Sequence, residues 1–241
     1  MAQSSIFALA ATLLLSTGAA SAQTTFRLGV RGGLNRALTT VDPAGNNPSY
    51  PVQYTTDKTP IYAWQAGAVF EVKFDKFALQ PAVVFSQKGE RAATLLIFDG
   101  FVRTVNERAS TVRTNWLELP LNMVYTLHGD HGLQLFAGPY VALAVGGHQT
   151  TSSKYNYIST NDIDTQLFYG PGTYNRRLDA GFNIGVGYRQ GPLQVQLGYG
   201  LGLRNLHQDG SGGVVDFIHD FSSDAAYSRV AQLTGTYFFT L

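Results

Sequence analysis

The residue types of hydrolytic chemistry gather late in this chain, where His207, Asp209 and Ser211 are followed by His219, Asp220 and Ser222. A hydroxyl nucleophile, an imidazole base and a carboxylate that orients it are the parts of an activated serine. Turns collect Asp and Ser for another reason, because these side chains hydrogen-bond their own backbone. The loop reading accounts for them, and no catalytic residue is assigned. Asp162 and Asp164, or the run 209–213, offer oxygen ligands for calcium, yet neither follows the spacing of a calcium-binding loop. His128 and His131 flank a turn, and a zinc site built on them needs further ligands that the sequence does not supply. With 0 Cys in 241 residues, disulfides and thiolate metal sites are excluded. No metal and no cofactor are expected.

A second set of charges is more informative. Arg27, Arg31, Glu71, Lys88, Glu118, Asp179, Arg189 and Arg204 all fall on one phase of a two-residue alternation, which is the period of a β-strand. The pattern is plainest at 178–205, where Gln190, Gly191 and Pro192 form a tight turn between two arms. In the first arm Ala180, Phe182, Ile184, Val186 and Tyr188 alternate with Asp179, Gly181, Asn183, Gly185, Gly187 and Arg189. In the second, Leu193, Val195, Leu197, Tyr199, Leu201 and Leu203 alternate with Gln194, Gln196, Gly198, Gly200, Gly202 and Arg204. Each arm runs to roughly ten residues, about what a tilted strand needs to cross a bilayer.

Composition decides which face is outside. Charged residues make up 14% of the chain, against about a quarter in soluble domains. A barrel interior of eight strands is just wide enough for its own side chains and has no room for all the Phe, Tyr and Leu of the apolar phase. The bulky apolar face is therefore expected against lipid, and the glycine-rich, polar face in a wet, packed lumen. No apolar run reaches the roughly eighteen residues of a membrane helix, so a membrane is crossed by strands. The net charge of +1, without a Lys/Arg cluster, gives no reason to expect nucleic acid. At the N-terminus, the apolar core 6–15 and then Ala20, Ser21 and Ala22 ahead of Gln23 read as an export signal over 1–22, leaving a barrel domain over 23–241.

Taken in order, strand one is expected at 25–35, with Phe26, Leu28 and Val30 outward. A Pro/Asn/Thr-rich loop, 37–60, follows. Strand two places Tyr62, Trp64, Ala66, Ala68, Phe70 and Val72 outward, and turns at 73–76 into strand three, with Phe77, Leu79, Pro81, Val83 and Phe85 outward. A hairpin over 91–113, turning at Asp99 and Gly100, leads to strand four, with Leu117, Leu119, Leu121, Met123 and Tyr125 outward. A short turn, 128–131, precedes strand five at 133–147. A tyrosine-rich loop, 148–177, the hairpin already described, a loop at 206–226 and a last strand carrying Leu233, Tyr237, Phe239 and Leu241 on one side complete eight strands. Long and short connections alternate strictly, as in an antiparallel up-and-down transmembrane barrel. Phe26, Phe74, Phe77, Tyr125, Tyr188 and Phe239 gather at the short-turn end as an aromatic girdle. Pro81, Pro120 and Pro139 each remove a ladder donor, which normally argues against a place inside a strand; bulges or register breaks are one way to absorb them.

Leu79, Gln80 and Pro81 leading to Lys88 and Gly89 resemble the third strand of the PorT-like, porin-like outer-membrane β-barrel family, and 117–121 (Leu-Glu-Leu-Pro-Leu) resembles its fourth. The segments 136–140, 185–188 and 200–203 continue the resemblance, which covers nearly everything after the signal. It implies an eight-strand barrel in the outer membrane of a Gram-negative cell, inserted by the barrel-assembly machinery, with the prolines tolerated. It implies no catalytic residues. The expected role is structural or surface-binding and non-enzymatic, as a monomer in outer-membrane lipid, with the 91–113 hairpin as a surface for a protein partner. A small-solute pore and a lipid-modifying enzyme with a loop-borne site are the alternatives.

Overall fold

The computed structural model describes residues 24–42, 52–99, 103–128, 131–156, 158–159, 162–170, 173, 175–207 and 225–240. Every element among the described residues is a β-strand: β1 (Thr25–Asp42), β2 (Val52–Phe74), β3 (Phe77–Asp99), β4 (Arg103–His128), β5 (His131–Tyr155), the short β6 (Ile158–Ser159) and β7 (Ile163–Gln166), β8 (Leu178–Gln190), β9 (Leu193–Gly202) and β10 (Ala225–Thr240). Each of the eight long strands pairs antiparallel with its sequence neighbour. β4 pairs β5, β5 pairs β8, and β1 pairs β10, so the sheet closes on itself. Closure removes both edges from the spanning wall. Followed one way from Arg31, the ladder reaches Asp179; followed the other way it reaches Arg189, ten residues along β8. That stagger is the shear that tilts the strands of a closed barrel.

The two phases separate as the alternation requires. Glu71, Gln80, Gln134, Gln194 and Arg189 are buried, while Leu34, Tyr62, Leu133, Val195 and Leu197 are exposed on the outer wall. The short turns between wall strands lie at one end, with Asp75 at φ 55° and Gly191 at φ 56° in the left-handed region that such turns need. The girdle lies at that end too: the rings of Phe77 and Tyr125 are 5.0 Å apart, those of Tyr237 and Phe239 also 5.0 Å.

The strands are longer than the periodicity alone suggests. β1 continues to Asp42 instead of ending at Asn35, β2 begins at Val52 inside the expected loop, and β5 runs on through the polar stretch 148–155. These extensions are rich in Thr, Val and Tyr, which favour extended backbone, although their pattern is not amphipathic. β9, by contrast, stops at Gly202, so Arg204 is exposed beyond its end and is not a lumen residue.

Pro81, Pro120 and Pro139 are accommodated without a break of register. The register shifts of β2–β3 and β4–β5 fall at Pro60/Gln65, Asn115/Trp116 and Thr126/His128. Pairing resumes in unchanged register around the other prolines, from Val69↔Ala82 to Val72↔Leu79, from Pro81↔Leu121 to Val84↔Glu118, and from Pro120↔Tyr140 to Met123↔Ala137. Pro81, Pro120 and Pro139 lie close together on adjacent strands, so their missing donors fall in one band of wall instead of being scattered. The export-signal reading of 1–22, the turn at Gly100, and Leu241 lie outside the described residues.

Candidate functional site

Among the described residues, buried polar chemistry concentrates in the lumen. Near the short-turn end Glu71 of β2 is fully buried. It accepts from Arg27 Nη1 of β1 at 3.2 Å, Arg189 Nη1 of β8 at 2.6 Å and Gln80 Nε2 of β3 at 2.7 Å. Gln80 Nε2 also reaches Gln194 Oε1 of β9 at 3.3 Å; Gln194 donates to Gln134 Oε1 of β5 at 2.8 Å, and Gln134 to Thr126 Oγ1 of β4 at 2.9 Å. The Arg189 guanidinium lies 4.7 Å from the ring centre of Phe238 on β10. All eight wall strands thus meet in one network. Two cations on one carboxylate offset the cost of burying it.

One level up, Arg31 donates to Thr236 Oγ1 at 3.0 Å and to Gln196 Oε1 at 3.1 Å. Burial lowers the solvation of that guanidinium, and these bonds replace part of what water supplied. Higher still, Lys88 Nζ stands 2.6 Å from Glu118 Oε1 and 3.8 Å from Asp179 Oδ2. Its ammonium is 5.0 Å from the Tyr140 ring centre and 5.8 Å from that of Trp116. Tyr140 OH donates to Asp179 Oδ2 at 3.0 Å. Above this, Tyr169, from the segment before β8, meets Trp116 edge-on at 6.1 Å, with Leu206 packed alongside. Burial pushes the Tyr169 hydroxyl up to about 12, so it stays protonated.

Four bulky side chains, Trp116, Phe136, Tyr140 and Phe238, therefore sit inside the lumen, where only small and polar residues are expected. Glycines make the space. A Cβ at Gly185 or Gly198 stands 2.6 or 2.8 Å from the Phe136 ring, and one at Gly181 stands 2.6 Å from the Tyr140 ring. The alternation marks the same pairing: glycine on the inward phase of β8 and β9 faces an aromatic on the inward phase of β5. The cavity left among Arg31, Asn122, Asn183, Gln196 and Gln232 has about 20 Å³ of room for the centre of a water molecule. That suffices for roughly one or two waters.

A closed ring of eight tilted strands with an apolar outer wall and a polar interior is a membrane-spanning barrel. The model of the outer membrane protein beta-barrel domain matches residues 20–208. This chain belongs to that family. The outer-membrane barrel is similar to Neisserial surface protein A at 10% identity and TM-score 0.37, covering 88% of this chain and 97% of that one. It is also similar to Ail, the attachment invasion locus protein of Yersinia pestis, at 9% and 0.38, covering 89% and 99%. OprG from Pseudomonas aeruginosa follows at 11% and 0.33, covering 90% and 98%. No curated protein matches the chain. The last wall strand, β10, lies beyond the matched residues and closes the ring all the same.

Outside the membrane the outer-membrane barrel carries a second feature. β2 to β5 have 23, 23, 26 and 25 residues, over twice what a crossing needs, and continue upward as a sheet extended by β7 and β6. Both sides of the 91–113 hairpin are taken, by β2 up to Val52↔Phe98 and by β5 up to Asn106↔Tyr155. β1 leaves β2 at Ala37↔Ile61 and stays with β10. Among the described residues, one side of 52–60 is therefore unpaired.

The remaining sequence-marked residues do not converge. His128 and His131 are cross-strand partners, both exposed. Asp164 accepts from Thr150 Oγ1 at 2.5 Å within the sheet, while Asp162 is exposed. His207 is half-buried and bridges to Asn175, whereas Asp209, Ser211, His219, Asp220 and Ser222 lie outside the described residues. No group of three metal-ligating residues occurs among the described residues.

Proposed function

We propose that this outer-membrane barrel is a monomeric, non-enzymatic, PorT-like protein whose filled lumen is structural and whose extracellular sheet is the binding element. The observation that carries the reading is the contrast within β2. Its lower half is locked into the Glu71 network, while 52–60 offers one bonded side and one free side. A free edge supports recognition by strand addition, with main-chain bonds for affinity and side chains for selectivity. Lys58 and Pro60 on that edge discourage indiscriminate pairing. Exposed Leu95, Phe98, Tyr155 and Ile158 on the same sheet add apolar contact area for a protein partner. An export signal over 1–22 and insertion by the barrel-assembly machinery fit the same reading.

Deleting 93–105 removes the strand pairs that hold 52–57 in place. The expected result is a barrel that keeps its heat-modifiable band on gels and loses adhesion of expressing cells to host or neighbouring-cell surfaces. Unchanged adhesion contradicts the reading. For the lumen, planar-bilayer recording is expected to give no steady large conductance, and its appearance contradicts a structural filling.

A further inference from the structure

The ladder between β4 and β5 slips at the height where the barrel gives way to the extracellular sheet. Asn115 pairs with Gly146 and the next pair is Trp116 with Ala144, so Val145 is an extra residue and β5 bulges there. On its other side β5 changes neighbour over the same stretch, from β8, last paired at Leu143↔Leu178, to β7, first paired at His148↔Gln166. The Ala144 amide donates to the Arg177 carbonyl and the Leu167 amide to that of Gly147, which ties the two sides of this break together. Bulges re-aim side chains and are common beside binding sites. Two glycines follow the extra residue, and a Cβ placed at Gly146 meets nothing within 4 Å.

An open cleft of about 540 Å³ lies at the bulge, lined by Asn115, Gly146, His148, Asp164, Thr165 and Gln166. That is the size of a small-molecule site. Gly146 stands thirteen residues along β5 from Leu133. At about 3.3 Å per residue and a tilt of about 40° it is about 33 Å up, clear of the roughly 25 Å apolar band. The lining has bonding capacity left over. Asn115 Oδ1 accepts from Gln87 Nε2 at 3.2 Å, which leaves Nδ2 to donate. Asp164 accepts from Thr150 through Oδ1, which leaves Oδ2 to accept. Among the described residues, none of the recorded side-chain hydrogen bonds involves His148, Thr165 or Gln166. Asp164 is the carboxylate of the lining, and Arg113, opposite His148, brings a cation close by. Arg113 itself is turned to Gln87 Oε1 and the Tyr62 carbonyl, each at 3.5 Å.

One carboxylate, two amides, an imidazole and a hydroxyl around a floor of glycine, with no excess of either charge, match a ligand that is neutral and rich in hydroxyls. We propose that this cleft binds a neutral pyranose sugar. The ring lies over Gly146, where no side chain stands, and its hydroxyls bond the Asp164 carboxylate and the amides of Asn115 and Gln166. Phe168, exposed and one residue past the bond from Leu167 to Gly147, offers a ring to the C–H face of the sugar. The site is distinct from the free side of 52–60, from which β3 and β4 separate it.

The test uses the full mature chain folded in a polyoxyethylene detergent, because the sugar headgroup of a maltoside would compete. Saturation-transfer NMR is run with the methyl glycosides of glucose, galactose, mannose and N-acetylglucosamine, and with the sulfate ester of N-acetylglucosamine as the charged contrast. A second arm offers galactosyl diacylglycerol to the protein in nanodiscs. Transfer to at least one neutral sugar is expected, and Asp164→Asn is expected to weaken it about tenfold, the worth of one bond to a charged acceptor. Gly146→Val fills the cleft without a clash and is expected to abolish the signal while the heat-modifiable band is kept. Thr56→Ala, on the edge of the sheet, is expected to leave sugar binding unchanged. Binding of the free glycosides marks a soluble or partner-borne glycan as the source, and binding of the lipid-linked sugar alone marks a neighbouring glycolipid. Failure of every neutral sugar in both arms overturns the proposal, as does unchanged binding by Gly146→Val or stronger binding of the sulfated sugar by the wild type.

Discussion

The bottom of the lumen and the extracellular sheet are built from the same strands and obey opposite rules. At Glu71, Gln80, Gln134, Gln194 and Arg189 every wall strand contributes a side chain to one buried network. At the other end of β2 from Glu71, Thr55, Thr56 and Asp57 are exposed, and the ties of Thr56 and Lys58 reach one neighbouring strand, through Thr94 and Glu90. In the lumen, strand order, register and charge are all fixed by the need to satisfy polar groups away from water. In the sheet only backbone pairing is required, so side chains there are free to serve recognition. Under the proposed function, stability and binding are thus separated by height along the barrel.

The largest effect that can break this contrast is at the carboxylate. Glu71→Ala leaves the buried Arg189 and the half-buried Arg27 without their shared anion and is expected to cost about 3–5 kcal/mol. Urea titration of the folded band in detergent measures it. A loss of under about 1 kcal/mol would mean that the network does not hold the barrel. Phe136→Ala empties the space between Gly185 and Gly198 and is expected to cost about 3 kcal/mol, read in the same titration. On the other face, Leu197→Arg places a charge against the hydrocarbon near mid-wall, with an expected cost of about 2–4 kcal/mol in lipid vesicles. Smallest is Thr56→Ala in the sheet, expected within about 0.5 kcal/mol. A comparable loss at Thr56 and Glu71 would erase the distinction between the regions.

Much of the wall was legible because lipid and lumen impose a strict alternation. Trp64, Leu121 and Tyr188 face out, and Arg27, Glu71, Lys88, Glu118, Asp179 and Arg189 face in, as their phase requires. Arg204 broke the pattern because periodicity does not say where a strand stops; β9 ends two residues earlier. The polar extensions at 37–42, 52–60 and 148–155 were read as loops because strands above the membrane need no apolar face. Phe136 and Tyr140 fall on the inward phase of strand five, but a lumen expected to hold small and polar side chains gave no reason to place bulky rings there. Only the glycines opposite them on β8 and β9 show that the lumen has room. Of the proposed binding surface, the sequence pointed to the hairpin at 91–113, while the unpaired side on β2 follows from where β1 and β2 part, which is a long-range pairing.

The central claim is that the apolar phase faces hydrocarbon and the polar phase faces the interior. The chain's 2 tryptophans lie on opposite phases, Trp64 exposed on the outer wall and Trp116 buried in the lumen. Single-tryptophan proteins, Trp116→Phe and Trp64→Phe, folded into vesicles of lipids with brominated acyl chains, separate the two faces. The account predicts strong bromine quenching of Trp64 and almost none of Trp116. Equal quenching, or stronger quenching of Trp116, would contradict it.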